Sequence, residues 1–123
     1  MRFLWLCSVI VALVSCNGDC VAIAGPAFVV DVTDARNGAW LAAGSTLIAR
    51  GPAGADSVSY PNHVGPQRTI TLIEGRLQAG IYTVEVKRDG YVPWVRSDIA
   101  LRETGDCGHV RAVHLSAALE PLP

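Results

Sequence analysis

The sequence predicts an all-β fold: a small antiparallel β-sandwich of about seven strands, preceded by a signal-peptide helix. Three observations carry that expectation. Ile81 to Lys87 alternates, with Tyr82, Val84 and Val86 on one face and Thr83, Glu85 and Lys87 on the other. This period-two pattern belongs to a strand with one face in a core and the other in water. Near the end of the chain Val113, Leu115, Ala117 and Leu119 share one parity, while His114, Ser116 and Ala118 take the opposite one. The intervening segments are rich in glycine, proline, asparagine and aspartate, and no amphipathic helical segment of useful length competes.

In chain order, Phe28 to Thr33 and Ser45 to Arg50 read as short strands rich in β-branched or apolar residues. Asp34-Ala35-Arg36-Asn37-Gly38 supplies turn chemistry between them, with Asp34 and Asn37 as turn-capping side chains. Gly51 to Gln67 carries Pro52, Pro61 and Pro66 and reads as loop, with an edge strand at Asp56 to Tyr60. Strands follow at Thr69 to Glu74, Ile81 to Arg88, Tyr91 to Ile99 or Leu101, and Val110 to Leu119. Arg88-Asp89-Gly90 is a tight reversal in which Gly90 can take positive φ. There is no internal repeat.

Residues 1 to 15 have the parts of a signal peptide: Arg2, an apolar run from Phe3 to Val14, and the small residue Ser15 before Cys16. The apolar run is shorter than the ~20 residues that span a bilayer. Leu13-Val14-Ser15-Cys16 resembles the lipobox of bacterial lipoprotein precursors. That resemblance implies cleavage before Cys16, a diacylglyceryl group on its thiol and further acylation of the new amino terminus. Two or more chains hold a protein firmly to a membrane. Asn17 follows, and the aspartate associated with inner-membrane retention in enteric-type lipoproteins is absent there, so the cell envelope, and within it the outer membrane, is the expected location. Ala22-Ile23-Ala24 is an alternative site for ordinary secretory cleavage.

The chain has four cysteines. Cys7 lies within the signal and Cys16 would carry lipid, which leaves Cys20 and Cys107 as an even pair in an oxidising compartment. Cleavage after Ala24, or a Cys16 to Cys20 loop, would instead leave Cys107 alone. No Cys-x-x-Cys spacing is present to suggest redox catalysis.

Removing 15 of 123 residues leaves 108, enough for one domain. Of ten Lys plus Arg only Arg2 is lost, so nine remain against eleven Asp plus Glu. A net charge of minus two gives no basic field for nucleic acid.

Gly80-Ile81-Tyr82-Thr83-Val84-Glu85-Val86 followed by Asp89-Gly90-Tyr91 resembles the Gly-x-Tyr-x-Val-x-Val…Gly-Tyr signature of carboxypeptidase regulatory-like, or transthyretin-like, domains. The resemblance runs from about Phe28 to Leu119 and implies an Ig-like/prealbumin-like β-sandwich. The expected organisation is a signal peptide at 1–15, a lipidated amino terminus and short tether at 16–26, and the sandwich at 27–120. Trp94, Cys107, His109, Val110 and Leu115 continue the similarity to small bacterial lipoproteins with this domain, although Gly108 here separates Cys107 from His109. The hydroxyisourate hydrolases of the wider group carry a C-terminal Tyr-Arg-Gly-Ser, whereas this chain ends Leu119-Glu120-Pro121-Leu122-Pro123.

Within that frame Gly80, Tyr82, Gly90 and Tyr91 are fold residues, with Tyr82 expected as a buried aromatic whose hydroxyl caps nearby backbone, as in a tyrosine corner. Trp40, Tyr60 and Trp94 are the candidate ligand contacts, because indole and phenol rings offer flat apolar faces with a polar rim. His109 and His114 are five apart on one expected strand and point to opposite faces, and His63 lies elsewhere, so no metal site is expected. Asp31, Asp34 and Asn37 lack the alternating ligand pattern of a calcium loop. Neither a Gly-x-Ser-x-Gly elbow nor a His-Glu-x-x-His motif is present. The expectation is therefore a lipid-anchored envelope protein with a non-catalytic, cofactor-free domain. Its role would be binding or structural, with the membrane and an envelope protein or glycan as partners; a small-ligand module is the alternative and a hydrolase the third reading.

Overall fold

The computed structural model describes residues 25–75, 77–105 and 108–123. The expected signal-peptide helix, acylation at Cys16 and pairing of Cys20 with Cys107 fall outside those residues. Seven strands form two layers. Strands β4 (Thr69–Ile73), β1 (Pro26–Asp34) and β9 (Val113–Leu119) make one sheet, in that order. The other is β3 (Gly54–Ser59), β2 (Ser45–Gly51), β5 (Gly80–Arg88) and β6 (Trp94–Leu101). A two-stranded ribbon, β7 (Glu103–Thr104) with β8 (His109–Val110), is appended. The fold is an all-β sandwich.

Period-two patterning sorts the side chains between the layers. Phe28, Val30 and Val32 of β1 face Leu47 and Ala49 of β2 and Tyr82, Val84 and Val86 of β5 within one continuous core. Ile70, Leu72, Ala117 and Leu119 complete it. The Phe28 and Tyr82 rings meet edge-on with centroids 5.5 Å apart, joining the two sheets through their largest buried side chains. The Tyr82 ring also lies against Gly51, where an added Cβ would come within 2.3 Å of it. Only a residue without a side chain fits there.

Four differences from the expected elements have physical causes. First, β1 and β9 run parallel, in register from Phe28↔Val113 to Asp34↔Leu119, whereas β1 and β4 are antiparallel. The first and last sandwich strands are both entered from the same end of the molecule, so this one pair is parallel in a sandwich that is otherwise antiparallel, as expected. Second, Val110 to Leu119 is two strands. Val110 pairs with Glu103, and the chain then turns through Arg111 and Ala112 before β9 begins. His109 and His114 thus belong to different sheets. Third, the segment read mostly as loop contains a full edge strand, β3, which returns along β2 from a turn at Gly51 to Gly54. Its Asp56, Ser57 and Ser59 give no strong strand signal, and pairing with β2 overrides that. Fourth, β6 begins at Trp94 rather than Tyr91. Tyr91 instead bridges Pro121, and the Val92 N–H donates to the Glu120 carbonyl. A bulge at Asp98, φ 60°, shifts the β5–β6 register between Tyr82 and Val84.

Candidate functional site

β1 divides the molecule into two poles. It starts beside Gly25 and ends at Asp34, and nine strand residues span roughly 26 Å. The Gly25 pole gathers Glu74, Gly80 and His109. The Asp34 pole gathers the Asp34–Ala43 connection, the 3-10 turn Asn62–Val64, the Arg88–Tyr91 reversal and the chain end near Leu122.

At the Gly25 pole Glu74 is buried and organises its surroundings. One carboxylate oxygen bonds the His109 Nδ1 at 2.7 Å, and the other accepts the Val110 N–H. The Glu74 N–H donates to the Gly25 carbonyl. The His109 hydrogen bond, and after it the Val110 N–H, hold the Glu74 carboxyl below its ordinary pKa. Close by, the Tyr82 hydroxyl donates to the Gln78 carbonyl at 2.7 Å and accepts the Gln78 N–H at 3.1 Å. This is a tyrosine-corner geometry four residues upstream. Gly80 packs on Pro52, whose Cγ would lie 2.6 Å from an added Cβ.

At the Asp34 pole a chain of contacts fixes one cation. The buried Asp34 accepts the N–H groups of Arg36 and Asn37 on one oxygen, and the Asn37 side chain accepts the Ala39 N–H. These are the expected turn caps. The other Asp34 oxygen accepts the Tyr91 hydroxyl at 2.8 Å. Above the Tyr91 ring, 5.6 Å from its centroid, stands the Arg88 guanidinium, whose Nε also donates to the Ala43 carbonyl at 3.2 Å. The Gly90 backbone, at φ 84°, makes the reversal that brings Tyr91 under Arg88.

Arg88 lines two adjoining hollows. One, an open groove of about 600 Å³, runs past Gly44, Lys87, Tyr91 and Leu122. The other, about 240 Å³, is formed by Trp40, Ala43, Asn62, Gly65, Pro66 and Arg88. Trp40 is 55% exposed, although its backbone bridges Thr33.

The three aromatic candidates separate clearly. Trp40 lies open in a hollow. Tyr60 is half-buried and its hydroxyl accepts the Thr71 N–H, tying β4 to the chain after β3. Trp94 faces inward opposite Val86, packs on the core and is covered by Arg96 at 5.0 Å. The histidines stay apart: His63 lies in the 3-10 turn, His109 meets Glu74, and His114 is on the exposed face of β9. Among the described residues no three His, Cys, Asp or Glu side chains gather as metal ligands.

Two positions that organise the poles were not visible in the sequence. Glu74 reads as the last residue of a strand, and nothing local announces its partner 35 residues away. Arg88 reads as a hairpin flank, although its place two residues before Gly90-Tyr91 was a usable signal. Comparison of the chain with models of known families and with curated proteins finds no match.

Proposed function

We propose that the chain is a lipid-anchored cell-envelope protein, held at the outer membrane through Cys16, whose carboxypeptidase regulatory-like β-sandwich is a non-catalytic binding module. One observation carries the reading. The exposed aromatic and the fixed cation, Trp40 and Arg88, share a hollow at the pole opposite Gly25, the point at which the tether reaches the sandwich. In this reading the hollow is the face turned away from the bilayer.

The disposition of buried polar groups supports the same reading. Among the described residues Asp34, Ser45 and Glu74, the buried polar residues, are committed to internal hydrogen bonds that shape loops, whereas the buried Oε1 of Gln67 has no partner. They serve the scaffold. The side chains offered outward at the Asp34 pole suit recognition.

Mass spectrometry of the mature amino terminus, in wild type and in Cys16→Ser, tests the anchoring. A diacylated or triacylated Cys16 that disappears in the variant is the expected outcome. An unacylated terminus at Gly25 overturns it.

A further inference from the structure

We infer that the Trp40–Arg88 hollow is a binding site for a carboxylate-bearing saccharide. The inference rests on the reading of the domain as a binding module and names its ligand class. Trp40 presents an indole at 55% exposure, the flat apolar surface on which the C–H face of a sugar ring stacks. Arg88, in the same hollow, is held from two sides by the Ala43 carbonyl and the Tyr91 ring. Its Nε is used internally, and among the described residues no carboxylate forms an ion pair with it. The terminal nitrogens of a guanidinium so placed match an incoming carboxylate, and a pre-positioned fork loses less entropy on binding. Asn62, in the same wall, adds an amide that can both donate and accept toward hydroxyl groups.

The backbone around the hollow argues against an acidic peptide adding as a strand. Ala42 N–H donates to Gln67, Gly44 N–H to Tyr60, Ser45 N–H to Ala42, and Tyr60 N–H to Ser45. The Ala43 carbonyl accepts from Arg88. Those groups are already paired, and recognition falls to side chains. The adjoining groove of about 600 Å³ continues from Arg88 past Lys87, and its size is that of small-ligand sites, roughly 300–1,000 Å³. More than one sugar unit can follow that line.

Binding of the full chain, purified in detergent, can be measured by isothermal titration calorimetry. The probes are trigalacturonic acid and the N-acetylglucosamine–N-acetylmuramic acid disaccharide. Galactotriose and chitobiose serve as neutral counterparts, and a tetraglutamate peptide as the non-sugar carboxylate. At least one charged saccharide binds more tightly than its neutral counterpart and than the peptide. The two charged probes distinguish a uronic from a lactyl carboxylate. Trp40→Ala lowers the affinity about two- to tenfold, the scale of one lost stacking contact. Arg88→Gln removes the preference for the charged sugar, Arg88→Lys restores part of it, and melting curves confirm that each variant is folded. Equal affinity for charged and neutral sugars, indifference to Trp40→Ala in folded protein, tighter binding of the peptide, or no saccharide binding overturns the inference. The amino-terminal analysis of Cys16 is independent of every one of these outcomes.

Discussion

The Tyr91 hydroxyl donates to Asp34 Oδ2 at 2.8 Å, linking the β5–β6 reversal to the turn after β1 across 57 residues. The bond lowers the Asp34 pKa, with the Arg36 N–H adding to it, and raises that of Tyr91. A carboxyl whose folded pKa is depressed contributes stability above its unfolded value, lost as pH falls through the folded one. A phenol whose folded pKa is raised contributes stability below its unfolded value, lost as pH rises through the folded one. The link therefore contributes fully from above about pH 4 to below about pH 10 and is lost only beyond the shifted folded values. Tyr91→Phe is expected to lower the melting temperature within that window and to flatten both the acid and the alkaline limbs of the stability profile. Urea titrations at pH 3, 7 and 11 check this, and parallel profiles for wild type and variant would contradict it.

Glu74 couples the β7–β8 ribbon to the entry of the chain. Its depressed pKa makes its contribution present above the ordinary carboxylate range and lost as pH falls through the lowered folded value. Glu74→Gln should speed amide exchange at Val110 and at position 74 while β2 and β5 stay protected, a local opening rather than a global one. Hydrogen exchange by NMR reads both regions in one experiment. Uniform acceleration across the sheets would show that the pair is part of the global core.

Gly25 and His109 both bond Glu74, so the two chain segments leading to Cys20 and Cys107 leave from one place. Cys20 precedes Gly25 by five residues and Cys107 precedes His109 by two. The cysteines are expected to form a disulfide, which peptide mapping without reductant would detect. Closing so long a loop is worth about 4–5 kcal/mol in the chain-entropy model, and Cys107→Ser should lose that order of stability. A free Cys107 thiol in protein purified without reductant removes the expectation.

Tyr82→Phe deletes the hydroxyl that bonds both the Gln78 carbonyl and N–H. A loss of about 1–3 kcal/mol is expected, which lowers the melting temperature by roughly 4–8 °C per kcal/mol in a domain of this size. Gly51→Ala presses a methyl group against the same ring and should cost about 1–3 kcal/mol through overpacking. Denaturant unfolding with an unchanged m-value would confirm that both act on the folded state.

Much of the sandwich was legible because its inward residues alternate. Tyr82, Val84 and Val86 announced β5, and the Asp34 and Asn37 turn declared itself through side chains that cap their own backbone. β3 was only partly legible, since an edge strand of small polar residues borrows its order from β2. The break at Arg111 was hidden, because apolar parity continues on either side of it while the pairing partner changes from β7 to β1. The site divides in the same way. Trp40 could be nominated by residue type, but its exposure, and the internal roles of Tyr60 and Trp94, depend on packing. Arg88 needed the fold, since what singles it out is the Ala43 carbonyl, 45 residues away, together with the ring of Tyr91 three residues on, and local propensity reports neither contact.

The parallel pairing of β1 with β9 also decides how the domain would bear load. Tension applied between the start of β1 and the end of β9 pulls the two strands in opposite directions along their length. The register holds seven residue pairs from Phe28↔Val113 to Asp34↔Leu119. Force in that direction shears all of those rungs together instead of peeling them one at a time. The pairing of the central strand β1 with the edge strand β9 is thus a mechanical clamp against force applied along the strands.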